Sequence, residues 1–335
     1  MPTAPNRRLV AVVLLVPAVV ALALWAFAWP AARMAPRELP VGVVGSGPAA
    51  DQLQERLEEL DGAFEIHRYG SGAAARTAIE HRSVYGAVAV TAKGPELLTA
   101  SAASPVVAQL LHDAVTAQAP DGAVVPVTDV VAAPAADPRG SVLGASILPL
   151  AIAGVAAGAA VTLLGLRGGR AVTALLGVAA LVGIVSAALT DSWLGVMTGD
   201  WWSEAGAFGL TVLAIGATVA GLAALIGTAG VGLGSLLMVL VGNPFSGVTS
   251  APELLPRPVG TIGQWLPPGA SGSLLRSVAF FDGNAAGRAL LALVLWAALG
   301  LAAVLIGGRR KAATTHSAAE AAEAAEPERH PALSG

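Results

Sequence analysis

The chain has 335 residues, 55% of them hydrophobic and only 12% charged, with a formal net charge of −3 and no cysteine. An ordinary soluble domain carries about twice that charged fraction. Nucleic acid is excluded as a partner for want of a broad basic face, and without cysteine no disulfide, thiolate metal site or cysteine nucleophile can form.

Charge is absent from five runs, 9–32, 140–166, 171–190, 205–252 and 289–308. A membrane span needs about 20 apolar residues to cross a hydrocarbon core of about 30 Å. The fold class expected is therefore a polytopic α-helical membrane protein with an inserted α/β domain, its first partner being the lipid bilayer. Residues 1–32 open the chain as a membrane anchor. Arg7 and Arg8 precede an apolar run longer than the roughly 7 to 15 residues of a signal peptide.

Residues 33–140 alternate two periodicities. Strands are expected at 39–44, 64–69, 84–90, 96–100 and 124–131. Helices are expected from Pro48, over 73–82 and from Ser104-Pro105, where Val107, Leu110, Leu111 and Val115 form an apolar stripe. That order predicts a small α/β sandwich with a largely parallel sheet. Gly45, Gly47 and Ala50 match the dinucleotide fingerprint G-x-G-x-x-A between a strand and a helix. The confirming acid is missing at the end of the next strand, which reads His67, Arg68 and Tyr69, so the motif is read as a structural turn. The five histidines lack metal-ligand spacing, and no Ser, His and Asp set assembles into a catalytic site. No enzyme activity, cofactor or metal is expected.

Residues 141–308 form the second membrane part. The run 205–252 is long enough for two spans, with the turn at Gly227 to Gly230, which brings the total to six. Basic residues at 7–8, 167–170 and 309–311 all fall on one side of such a layout and the acidic loop of Asp191, Asp200 and Glu204 on the other. By the positive-inside rule both termini are cytoplasmic and 33–140 is extracytoplasmic. The spans so drawn contain no ionisable residue, which disfavours an ion relay. Gly154 with Gly158, and Gly230, Gly232 and Gly234, allow close helix approach, within one subunit or at a dimer face.

The segment 243–287 is too apolar for a solvated loop and too rich in Pro and Gly for another span. Irregular backbone at membrane depth survives only where protein or a water-filled cavity satisfies it, which predicts an outer re-entrant cap. Asn243-Pro244 ends the fifth span, Ser250 and Pro252 start a short helix, and Pro267-Pro268-Gly269 breaks the chain. Leu274, Leu275, Val278 and Phe281 then line an interfacial helix with Arg276 on its polar side. The cap is either structural or the lining of an exit path, with Asn243, Pro244, Ser250, Pro252, Glu253, Pro256, Trp265, Pro267, Pro268 and Arg276 as its candidate residues.

One span, a large outer domain, five further spans and the segments Pro252-Glu253-Leu254-Leu255-Pro256 and Gln264-Trp265-Leu266-Pro267-Pro268-Gly269 together resemble the membrane subunit of ABC-2 type exporters, the YhgE/Pip-like permeases in particular. That resemblance implies a homo- or heterodimer working with a separate cytoplasmic ATPase to move a lipid, drug or polysaccharide outward. A different reading of the same layout is a non-transporting scaffold or receptor displaying the α/β domain to a cell-envelope partner. After Lys311 the chain is low in complexity, and 309–335 is expected to be a disordered cytoplasmic tail.

Overall fold

A computed structural model describes residues 4–60, 62–91, 94–118 and 124–324. The first helix, α1 (Ala4–Ala31), is apolar on every side from Leu9 on and over that stretch almost entirely uncovered by protein. Such a surface is compatible with lipid rather than water. At its C-terminal end Trp25 stacks on Trp29 and Arg33 lies over the Trp29 ring at 5.5 Å.

The strands and helices that follow are β1 (Leu39–Val44), α2 (Pro48–Glu58), β2 (Phe64–Tyr69), α3 (Gly72–Glu80), β3 (Gly86–Thr91), β4 (Gly94–Thr99), α4 (Pro105–Gln118) and β5 (Val127–Asp129). Local chemistry sets the helix starts. Ser71 Oγ accepts from Ala74 N–H at the start of α3, and Ser104 Oγ accepts from Val107 N–H at the start of α4. The sheet order is β2-β1-β3-β4-β5. Strand β1 is parallel to both β2 and β3, β4 is antiparallel to β3, and β5 is parallel to β4. The one antiparallel step is the β3–β4 hairpin, which needs no crossover helix.

Five helices are long and apolar enough to cross a membrane among the described residues: α1, α5 (Ser141–Leu163), α6 (Gly168–Ala187, prolonged by a π-helical turn to Trp193), α7 (Trp201–Ile226) and the first two thirds of α11 (Ala286–Ala324). Asp137 fixes the entry to α5 by accepting from the N–H groups of Ser141 and Val142 at 3.0 and 2.7 Å. Where the sequence suggests a sixth full span, α8 (Thr228–Ser235) and a π-helical turn to Gly242 make an apolar segment of 15 residues. At 1.5 Å per residue that is about 22 Å, shorter than the hydrocarbon core. The expected turn is present: Gly227 adopts φ 77°, and Gly230 lets α8 close against the Leu222 backbone of α7.

Helix α7 is the centre of the bundle. Its neighbours α5, α6 and α11 reach it through glycines. A Cβ on Gly158 would lie 2.6 Å from the Gly216 carbonyl oxygen, and one on Gly300 2.6 Å from the Ala217 carbonyl oxygen. The glycine pair 154/158 thus packs within the subunit, against Ile215 and Val219 of α7. Gly232 has nothing within 4 Å of its missing side chain.

After Gly242 come short turns at Pro244–Ser246 and Pro252–Leu254, then α9 (Val259–Trp265) and α10 (Pro267–Phe280). Leu266 is extended and Pro267 opens α10, as a residue before proline and a proline at the first helical position should behave. Contrary to the expectation of an interfacial helix with a polar side, α10 is buried almost all round and Arg276 with it, at 6% exposure. The turn at Val248 and the side chains of Arg82 and Tyr85 lie against the side that was expected to meet water.

Gly308 packs against Gly168, so the basic residues 167, 170 and 309 share one end of the bundle. The α/β unit sits at the other end, with Trp193, Trp201 and Trp202. Helix α11 runs on to Ala324, where the sequence suggests a disordered tail. Alanine and glutamate, which dominate this stretch, are strong helix formers. Residues 325–335 lie outside the described part.

Candidate functional site

Two apolar plugs join the cap to the α/β unit. Phe281, just beyond α10, enters the cluster of Ala75, Ile79, Val84 and Leu98 on one face of the sheet. Leu254 and Ala251 enter the cluster of Leu39, Val41, Val107 and Leu111 on the other. The sheet therefore completes both of its cores with residues of the cap.

Between the plugs lies a polar cleft made of two adjoining hollows of about 280 and 210 Å³, which share Pro40, Pro252, Glu253, Gln264 and Arg288. From the α/β side Arg82, in the left-handed region at φ 57°, reaches across. Its Nη1 donates to the Ser273 carbonyl at 3.0 Å and to the buried Ser277 hydroxyl, and its guanidinium lies over the Phe281 ring at 5.4 Å. Tyr85, which precedes β3, donates its hydroxyl to Glu253 Oε2 at 2.8 Å. From the cap, Gln264 Nε2 donates to the Ser246 carbonyl at 2.8 Å while its oxygen accepts from Ser273 Oγ. Behind it Arg276 Nη2 donates to the Val248 carbonyl at 2.8 Å. At the rim Arg288 lies 5.2 Å from the Trp265 ring centroid, Arg257 pairs with Glu38, and Arg37 donates to the Leu254 carbonyl at 2.8 Å.

The electrostatics follow from burial. Desolvation pushes the Tyr85 phenol well above its usual range and the negative Glu253 pushes the same way, against the pull of Arg82. Burial lowers the Arg276 guanidinium to about 10, helped by the like charge of Arg82, and it stays cationic at neutral pH. With Arg257 paired to Glu38, the remaining cations Arg37, Arg82, Arg276 and Arg288 outnumber Glu253 and Glu65. The cleft is suited to an anionic or polyhydroxylated group.

Because folding raises the Tyr85 pKa, the native state keeps a proton that the unfolded chain releases near pH 10. The stability gained is intact below pH 10 and declines as pH climbs through the folded-state value. Tyr85→Phe loses the bond to the Glu253 carboxylate, so it should be less stable than wild type by about 2 kcal/mol at pH 7. That gap should narrow above pH 10; thermal unfolding of both proteins in the same detergent from pH 7 to 11 measures it.

Of the ten residues singled out in the sequence, Pro252 and Glu253 line the cleft and Arg276 stands directly behind it. Asn243 and Pro244, both half-buried, end the short apolar helix, and Ser250 is buried just before Pro252. Pro256 caps the first turn of α9 through its carbonyl, and Trp265 ends α9 at the outer rim, accepting from Trp296 Nε1 at 2.7 Å. Pro267 and Pro268 are buried at the start of α10, Pro268 against Gly242. The fingerprint glycines Gly45 and Gly47 turn the chain from β1 into α2. Arg68 closes over them, paired with Asp51 at 2.9 Å and donating to the Gly45 carbonyl.

Sequence reasoning missed Arg82, Tyr85, Gln264, Ser273 and Arg288, which meet across long stretches of chain. It also missed Glu204. The uncharged run begins at Ala205, but α7 begins at Trp201 and puts the Glu204 carboxyl in its first turn, fully buried. Oε1 accepts from Gly199 N–H at 2.9 Å, whereas Oε2 has no partner among the described residues. Asp200, which caps the helix by accepting from Ser203 N–H at 2.8 Å, was the available signal for the earlier start.

Comparison with family models, with curated proteins and with solved structures finds no match.

Proposed function

We propose that this chain is the permease-like membrane subunit of an ABC-2 type exporter, with residues 33–140 outside the cell and both termini in the cytoplasm. The observation that carries the reading is the broken outer segment from Thr228 to Phe280. A helix too short to span is followed by two turns and two short helices, buried between the long helices and the α/β unit. Such interrupted helices, with their free backbone groups shielded by protein, are a recurrent way of placing polar groups at a substrate path in a membrane. The arginine-rich cleft directly above supports an amphiphile with an anionic or sugar-bearing head as cargo. The clustering of basic residues at the opposite end of the bundle supports the orientation.

The scaffold reading expects an outer domain that can be displayed on its own. Phe281 and Leu254 argue against it, since a detached α/β unit would lose buried side chains from both faces of its sheet. An ATPase would need a grip on the basic end. The 164–167 link between α5 and α6 is too short for a coupling helix, which leaves the part of α11 beyond Arg309.

Purification of the full chain from its native membrane should recover an ATPase, and truncation after Lys311 should release it. Deleting the gene should abolish export of one cell-envelope component. Failure to retain any ATPase together with unchanged export would end the exporter reading, and a reporter at residue 90 active only in the cytosol would reverse the orientation.

A further inference from the structure

A second cavity lies inside the α/β unit, away from the cleft, between the sheet and the helices α2 and α4. It holds about 200 Å³, more than the 150 Å³ apolar cavity that takes up benzene and stays dry. Its walls are Leu53 and Leu57 from α2, Phe64 from β2, and Leu111 and Val115 from α4. On the α4 side the wall steps back at the small Ala114, where a filled core would carry a larger side chain. From there it extends to Val90 and Pro95, at the end of the sheet away from Tyr85 and the cap.

The lining has one charged group. Arg56 stands at the exposed mouth and makes no hydrogen bond or ion pair among the described residues. An apolar pocket with a single polar group at its entrance selects for an amphiphile and fixes its orientation, and a guanidinium fork matches a carboxylate. We infer that the α/β unit binds a single-chain carboxylic acid, its alkyl chain in the cavity between α2 and α4 and its carboxylate on Arg56. The cavity runs to Val90, Gly94 and Pro95, at the end of the sheet remote from the cap and the helix bundle, which favours a ligand that arrives as a free acid over a chain of a bilayer lipid. This inference is independent of export: a receptor would carry the same site.

The test uses the full chain in nanodiscs, with empty nanodiscs subtracted, and decanoate as the probe. Decanoate should displace a fluorescent undecanoic acid from one saturable site. Ala114→Phe, which fills the recess on the α4 side, should abolish that site, and Leu57→Trp on the α2 side gives a second block should the first variant fold poorly. Arg56→Gln should weaken decanoate about tenfold, the loss of one charge-assisted contact, and leave decanol unchanged. Equal uptake by wild type and both blocking variants would overturn the site. Equal weakening of decanoate and decanol in Arg56→Gln would overturn the role of the carboxylate. A photoreactive phospholipid acyl chain that labels Leu111 while photoreactive undecanoate does not would overturn the free acid as the source.

Discussion

Arg82→Ala should loosen the α/β unit from the cap and cost about 3 kcal/mol. The side chain gives two charge-assisted hydrogen bonds to α10 and lies over the Phe281 ring. Bonds to a charged group are worth about 1.5 to 3 kcal/mol and a cation–π contact about 0.5 to 2. The Ser277 hydroxyl, wholly buried, would lose this donor. Relief of repulsion with Arg276 offsets part of the sum. The backbone at Arg82 supplies an internal control, because φ 57° strains any residue with a Cβ. Arg82→Gly loses the same contacts but escapes a strain of about 1 kcal/mol, and should therefore be the milder change. Thermal unfolding with limited proteolysis of the α/β unit measures both, and equal stability of wild type and Arg82→Ala would remove the cleft as a structural joint.

Gly263→Ala should be at least as damaging, at about 3 kcal/mol, from a single methyl group. That methyl would fall inside contact distance of the Phe245 carbonyl oxygen, which is backbone and has no rotamer to escape into. Nor can α9 retreat easily. Gln264 is tied to the Ser246 carbonyl, and Gly263 itself is approached by Gly269 at the start of α10. Overpacking a filled site costs about 1 to 3 kcal/mol, and here the site is rigid. Gly232→Ala, on α8 with nothing nearby, is the matched control. It should be neutral or stabilising by up to about 1 kcal/mol through helix propensity. Both are read from the unfolding midpoint of the detergent-solubilised protein, and similar midpoints for the two variants would contradict the packing of the cap.

The patterns that repeat along the chain were legible, and the contacts that cross it were not. Absence of charge located five helices to within a few residues, because one apolar residue after another is what lipid demands. The order of strands and helices in 33–140 was legible for the same reason, each element being a local period. The antiparallel β3–β4 step was legible but went unread: the five residues between the expected strands 84–90 and 96–100 are too few for a parallel crossover. Length misled at 228–242: fifteen apolar residues within a longer uncharged run look like a span until Asn243 and Pro244 are seen to end them. Arg276 misled by its position on a helical wheel, which sets it apart from Leu274 but says nothing of the Val248 turn and the Arg82 and Tyr85 side chains packed on that side. Arg82 and Ser277 are 195 positions apart, and nothing local marks either as the other's partner.

The location of α7 has one more implication. With α5, α6, α8, α10 and α11 pressed around it, often at backbone contact, the axis of a single copy is filled and shows no aqueous lumen among the described residues. On the proposed exporter reading, cargo would have to slide along the perimeter, in a seam shared with lipid or with a neighbouring subunit, and blocking compounds would be sought against that outer wall.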